Sequence, residues 1–214
     1  MKVAIIGSGN VGRALASSAT RAGHKVTLTA TSADKAKEVA RATNAHAAAS
    51  NQEAVKNAEL VVLAVPADKV DDVVASLAPE LDGKVIIDVT NRFNPKDPGS
   101  TLDGSSMAEK IQKRASKAHV VKAFNYAFAS NMSDPNVEGT NLDAFVAGDD
   151  KAAKDKALEF ARSIGFRPID AGPLSMARAL EAMGILNILV QIQNDWPWKS
   201  GWKLAGPTGK KEKA

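Results

Sequence analysis

The sequence predicts an α/β chain built on a doubly wound parallel sheet with a small C-terminal strand-helix extension, and three observations carry that expectation. Strand-like apolar runs at 3–6, 26–29, 60–65, 85–89, 119–124 and 144–147 are separated, for the most part, by helical patterns such as 33–42, 70–77, 107–115 and 151–164. Such alternation calls for parallel strands joined by crossover helices. The runs are also continuously apolar, as in Leu60-Val61-Val62-Leu63-Ala64-Val65, which suits strands covered by helices on both faces. Finally, a glycine-rich turn, Gly7-Ser8-Gly9-Asn10-Val11-Gly12, joins the first run to the first helix. A weak additional strand is expected at 45–49.

Each glycine of that turn has a separate physical task. Gly7 permits the tight turn, Gly9 lets the backbone approach a pyrophosphate, and Gly12 lets helix and strand pack closely. The free N–H groups of the first helical turn, near Asn10 and Val11, together with the positive end of the helix dipole, make an anion site out of main chain. Because the turn lies inside a strand-helix-strand unit of about 30 residues, it has the context of a Rossmann dinucleotide site.

Composition narrows the remaining possibilities. At 214 residues and 44% hydrophobic content the chain is expected to form one well-cored domain with a small appendage. The net charge of +4 comes from dispersed basic residues, and aromatic residues are only 5%, so no nucleic-acid platform is expected. Cysteine is absent, which removes disulfides and thiolate chemistry, and leaves redox work to a bound cofactor. Met1-Lys2 runs straight into a strand and no apolar stretch is expected to reach the roughly 18 residues of a membrane span, which favours a cytoplasmic protein without a membrane partner. The expected division is a dinucleotide-binding domain over 1–148, an extension packed on it over 149–204, and a flexible tail over 205–214.

The extension carries a segment, 176–193, that reads as a helix with apolar residues around most of its circumference, among them Leu180, Met183, Ile185, Leu186 and Ile192. Such a helix is expected to be buried nearly all round, in part within a homodimer. Trp196, Trp198 and Trp202 fall within seven residues of one another and are expected to clamp that helix by packing, with an interface anchor as the alternative.

The end of the second strand selects the cofactor. An acidic residue there would bind the ribose 2′-hydroxyl and repel a 2′-phosphate, whereas this chain has Thr29-Ala30-Thr31-Ser32 followed by Lys35. Thr31, Ser32 and Lys35 therefore favour NADP over NAD, and Ser32 or Thr31 is also a natural helix cap. Ala64, Val65 and Pro66 end the fourth strand on the cofactor's path, while Asn91 and Asn125 reach the same sheet edge, where their amides could orient a nicotinamide or its redox partner. No His, Tyr or Lys stands in an obvious acid/base motif. His24 reads as structural, His46 and His119 lack a paired metal ligand, and Lys122 lies within a strand, so no metal is expected.

The glycine turn, the Asp149-Asp150 pair after a strand, and above all Arg167-Pro168-Ile169-Asp170-Ala171-Gly172-Pro173-Leu174 before a long apolar helix resemble the family of NADP oxidoreductases dependent on coenzyme F-420. That family is in turn similar to the nucleotide domain of the six-transmembrane ferric reductases. The resemblance runs to about Leu204 and implies direct hydride exchange between nicotinamide C4 and C5 of a deazaflavin, without a covalent intermediate; a flavin is the alternative acceptor. It implies that the glycine turn holds pyrophosphate, that Thr31 and Ser32 hold the 2′-phosphate, that 64–66 flank the ribose, and that Ala123 to Asn125 approach the nicotinamide. Catalysis of that kind is largely positioning. The alternative is a non-catalytic NADP-binding sensor, which would keep the glycine turn without a second ring site.

Overall fold

The computed structural model describes residues 1–102 and 104–206. Strand β1 (Lys2–Ile6) leads through the glycine turn to helix α1 (Asn10–Arg21), followed by β2 (Lys25–Thr29), α2 (Ala33–Thr43), β3 (His46–Ala47), α3 (Asn51–Lys56) and β4 (Leu60–Leu63). The chain continues with α4 (Val70–Leu77), β5 (Val85–Asp88), α5 (Met107–Arg114), β6 (His119–Lys122), α6 (Ala129–Ser133) and a small hairpin, β7 (Asn136–Val137) with β8 (Thr140–Asn141). It closes with β9 (Asp143–Gly148), α7 (Lys151–Ser163), β10 (Arg167–Gly172) and α8 (Ala177–Asn194). The expected tail lies outside the described residues from 207 onward.

Among the described residues eight strands form one sheet in the order β10-β9-β6-β5-β4-β1-β2-β3. From β3 to β6 every pairing is parallel, with Val3 opposite Val26 on one side and Leu60 on the other. Strand β1 is thus the point where the winding reverses, and a crevice opens beside its carboxyl end. One expectation needs correction, because β9 pairs antiparallel with β6, and β10 follows β9 in parallel. The sheet is mixed at this edge. An apolar run such as Ala144-Phe145-Val146-Ala147 suits a buried strand of either direction, and direction is set by the connection before it, here the β7–β8 hairpin instead of a crossover helix.

Side chains alternate between two cores. Val3 and Ile5 face Leu15, Val39 and Phe160 on one side of the sheet, while Ala4 and Ile6 face Val55, Leu77 and Ile111 on the other. The first core runs without a break from β1 to Phe160 and Phe166. Residues after 148 therefore extend the same body. The motif residues near the chain end are clamps. The Asp150 side chain accepts the Ala153 amide at 2.7 Å to cap α7, Asp149 accepts the Leu174 amide at 2.8 Å, and Asp170 pairs with Lys154 at 2.9 Å. Asp143 is fully buried and takes Arg167 through two bonds of 2.6 Å and the Leu204 amide at 2.6 Å, which fastens the end of the described chain. Burial pushes the Asp143 carboxyl up, and these partners more than offset it, so its pKa lies below the usual value.

Helix α8 departs from expectation. Its inner side is buried through Ala177, Leu180, Glu181, Gly184, Ile185, Asn187 and Gln191, but Leu186 is 49% exposed and Ile192 55%. The apolar pattern is symmetric about the axis, so sequence could not say which side the sheet would cover. With the turn before it, the stretch Leu174–Asn194 is also long and apolar enough to cross a membrane, contrary to expectation. Its polar residues point to a different use. Glu181 accepts the Met107 amide at 2.7 Å, Asn187 donates to the Tyr126 carbonyl at 2.9 Å, and Gln191 donates to Ser200 at 2.7 Å, so the helix is fastened to its own body by hydrogen bonds. The tryptophans divide in the same way. Trp202 packs beside Tyr126, Ala147 and Leu180, whereas Trp196 and Trp198 remain 48% and 45% exposed, so the expected three-residue clamp is reduced to one ring.

Candidate functional site

A cleft of about 490 Å³ lies at the carboxyl edge of the sheet, beside the winding reversal. One end is the glycine turn. Gly7 has φ +104°, and a Cβ there would lie 2.4 Å from the Ala64 carbonyl oxygen, so only glycine lets the β1 and β4 ends meet. At Gly12 a Cβ would lie 2.0 Å from the Gly7 carbonyl oxygen. Gly9 differs, with φ −66° and open space where a Cβ would stand. Gly9 also begins α1, and no side chain caps it, whereas Ser32, Ser50, Ser106 and Asp150 cap α2, α3, α5 and α7. The first-turn amides of α1 remain available to an anion, and the space beside Gly9 admits one.

The cleft wall continues through Ala64, Val65, Pro66 and Ala67, then Val89, Thr90 and Asn91, then 125–129, and it closes on Met132, Gly184, Ile188 and Trp198. Of the expected residues, Gly9, Asn10, Val11, Ala64, Val65, Pro66, Asn91 and Asn125 line it together. Ala123 does not. It is fully buried in the core, because β6 ends one residue before it and the chain reaches the cleft only from Asn125 onward. Gly7, Ser8 and Gly12 shape the turn from behind.

Thr31, Ser32 and Lys35 lie outside the cleft, exposed at the start of α2. Ser32 accepts the Lys35 amide at 3.3 Å as the helix cap. The Lys35 ammonium bonds Glu38 at 2.9 Å, and Arg13, from the first turns of α1, bonds the same carboxylate at 2.9 Å. Lys35 and then Arg13 hold the Glu38 carboxyl below its ordinary pKa. Two cations thus flank this loop, one of them from a helix that sequence reasoning did not connect with it.

Behind the cleft floor lies a buried charge network. Lys122 and Asp88 face each other across β6 and β5, fully buried and 2.8 Å apart. The Lys122 ammonium also donates to the Thr90 carbonyl at 2.6 Å and to Glu181 at 3.0 Å, which uses all three of its donors. Glu181 takes Arg92 at 3.2 Å, and Asp88 accepts the Thr90 amide and hydroxyl at 2.9 and 2.7 Å. Two cations balance two carboxylates, and the strand ends, the segment after β5 and α8 are tied together. Tyr126 is the cleft's only ionisable lining side chain among the described residues. Its hydroxyl donates to the Phe145 carbonyl, and burial pushes its pKa well above the ordinary value, so it stays a neutral phenol.

A family model described as NADP oxidoreductase, coenzyme F420-dependent, matches residues 2–92. The F420-dependent NADP reductase of Methanothermobacter marburgensis is 32% identical over 213 residues, which spans 91% of this chain and 94% of that one. The chain belongs to this family of NADP oxidoreductases. Among solved structures, a protein of Arthrobacter sp. FB24, tentative by its own description as an F420-dependent NADP reductase, superposes with a TM-score of 0.86 at 27% identity, covering 96% of this chain and 100% of that one. The rat metalloreductase STEAP3 is 31% identical over 182 residues, 85% of this chain but 36% of that protein. The chain therefore spans about a third of the metalloreductase and nearly the whole of the Methanothermobacter reductase.

Among the residues at or behind the site that sequence reasoning missed are Arg13, Phe128, Glu181, Gly184 and Trp198. Two left a trace in the sequence, since a lone acid and a lone glycine inside an apolar helix each call for a partner or a close approach.

Proposed function

We propose that the chain transfers hydride between NADPH and the deazaflavin coenzyme F-420, with both rings held in the cleft. NADP comes to this chain with the family. The observation that carries the reading is a single cleft with an open helix terminus at one end, an apolar and aromatic wall at the other, and no carboxylate, amine or imidazole lining it among the described residues. Direct hydride exchange between two stacked rings needs positioning and exclusion of water more than a proton-transfer side chain. Gly7 to Gly12 would take the pyrophosphate, 64–66 would flank the ribose, and Asn91 and Asn125 would orient the reacting rings. Phe128 and Trp198, 5.3 Å apart and edge to face, offer the far wall against which a flat tricyclic ring would lie. In this reading residues 1–148 form the dinucleotide-binding unit and 149–204 the extension that roofs the acceptor's end.

Anaerobic mixing with NADPH and, in turn, coenzyme F-420, FMN and FAD tests the reading through loss of the nicotinamide absorbance. Turnover with F-420 is expected. Saturable NADPH binding with turnover of none of them would identify a sensor instead. The 2′-phosphate is assigned to Thr31 and Ser32, with Lys35 and Arg13 beside them. Thr31→Asp is therefore expected to weaken NADPH about tenfold more than NADH, or ~1.4 kcal/mol, by like-charge repulsion. Equal losses in the two titrations would remove the 2′-phosphate from this loop.

The outer side of α8 presents Leu186, Leu189 and Val190 at helical spacing, and we assign it to a second copy of this chain. Leu186→Glu, a change on the solvent side of the helix, should then yield a monomer by sedimentation velocity. A wild-type chain that sediments as a monomer at micromolar concentration would overturn the assignment.

A further inference from the structure

Asn125 carries a buried side-chain oxygen, Oδ1, that has no hydrogen-bond partner, although the residue is 5% exposed and lines the cleft. An orphaned buried acceptor loses its hydration without a replacement bond and calls for an explanation. The rest of the amide is fully used. Its Nδ2 donates to Asn91 Oδ1 at 2.8 Å and to the Leu180 carbonyl at 2.7 Å, while Asn91 Nδ2 donates back to the Asn125 carbonyl. Both Nδ2 partners are acceptors, which fixes the amide's orientation and leaves the oxygen as the free position.

Two further features hold the pair in place. Phe124, immediately before it, has φ +64°, a left-handed conformation that an aromatic residue seldom adopts, and it is locked by Phe160 and Phe166 at ring separations of 6.1 and 5.5 Å. On the other side, Gly184 of α8 lies against the amides so closely that a Cβ there would stand 2.9 Å from Asn91 Oδ1, 3.0 Å from Asn91 Nδ2 and 3.1 Å from Asn125 Nδ2. A glycine inside a helix sacrifices helix stability, and here the close approach is what it secures.

We propose that Asn125 Oδ1 accepts a hydrogen bond from a neutral amide N–H on a ring bound in the cleft, and that Gly184 is the positioning residue that lets the asparagine pair lie there. The inference rests on the hydride-transfer reading, which brings two rings to this edge. Both carry the required chemistry: the nicotinamide has a carboxamide, and the deazaflavin has an imide N–H. A neutral donor suits the position because no carboxylate lines the cleft to balance a cation.

The test compares NADPH with its 3-acetylpyridine analogue, which lacks the N–H, by equilibrium titration of the wild type, Asn125→Ala and Gly184→Ala, together with KM for F-420. If the nicotinamide is the source, the wild type is expected to bind the analogue about tenfold more weakly, and Asn125→Ala to bring the two ligands within about twofold. If the acceptor is the source, the two cofactors bind the wild type alike and Asn125→Ala raises KM for F-420 about tenfold. For Gly184→Ala, kcat is expected to fall about tenfold, because the added Cβ would push the asparagine pair aside. That variant also carries the comparison if Asn125→Ala does not fold, since displacement of the pair should shrink the same discrimination. Equal cofactor affinities with an unchanged KM would overturn the proposal, and a Gly184→Ala variant that keeps the wild-type cofactor discrimination and KM for F-420 would reduce Gly184 to a packing residue. No uptake of either cofactor by the wild type would overturn the underlying reading as well, whereas uptake without discrimination, together with an unchanged KM for F-420 in Asn125→Ala, would overturn this inference alone.

Discussion

Gly9→Val is expected to weaken NADPH binding by at least about a hundredfold, or ~2.8 kcal/mol, while the protein stays folded. The three glycines of the turn look alike in sequence, yet the structure separates them by what a side chain would meet. Gly7 and Gly12 are demanded by the fold itself, since a Cβ would collide with the Ala64 and Gly7 carbonyl oxygens at 2.4 and 2.0 Å. Gly9 is demanded by nothing in the protein. Its φ of −66° is open to any residue and its Cβ position is empty, so the absence of a side chain there serves what approaches from outside. A valine would project two methyl groups into the space that the pyrophosphate needs beside the α1 amides. The folding cost is the weaker helix start, at most about 1 kcal/mol. Fluorescence titration with NADPH beside a thermal melt measures both quantities. Retained affinity would mean that the diphosphate lies elsewhere, and a collapsed melt would mean that Gly9 belongs with Gly7 and Gly12.

The parts of this molecule that sequence reveals are those governed by local periodicity. The unbroken apolar runs and the glycine turn after the first of them have one physical interpretation each, and the order of strands from β3 to β6 follows from crossover connections. What stayed hidden depends on relations between distant elements. The reversal of β9 is invisible in Ala144-Phe145-Val146-Ala147, because strand direction belongs to the connection and not to the run. The covered side of α8 is likewise invisible in a helix that is apolar all round, until Glu181, Asn187 and Gln191 are recognised as the polar residues that turn inward. Ala123 and Asn125 lie two residues apart, yet the left-handed turn at Phe124 buries one in the core and brings the other to the cleft. Arg13 belongs to the glycine-turn helix in sequence and to the α2 loop in space, and only Glu38 between Arg13 and Lys35 reveals the connection.

Lys122→Met should be the most destabilising single change considered, with a loss of about 3–5 kcal/mol and a fall in melting temperature of roughly 6–20 °C for a chain of this length. The reason is the company left behind. Asp88 is fully buried and Glu181 nearly so, and each gives one carboxylate oxygen to the Lys122 ammonium at 2.8 and 3.0 Å. With methionine in its place, both carboxylates remain in the interior, Asp88 with only the Thr90 donors and Glu181 with Arg92 and the Met107 amide. Removing one member of a buried charge network costs far more than the network contributes, because the remaining charge has lost its balance without regaining water. Combining Lys122→Met with Asp88→Asn removes a negative charge along with the positive one, so the pair should lose less than the sum of its single losses, by at least about 1 kcal/mol. The same network leaves Lys122 no donor for the cleft: its three N–H groups are all engaged inside the protein, and its side chain is fully buried. Thermal melts of the two single variants and the double variant decide the matter. Strict additivity, or a Lys122→Met melt within about 2 °C of the wild type, would show that the Lys122 charge network adds little to the fastening of α8 to the strand ends.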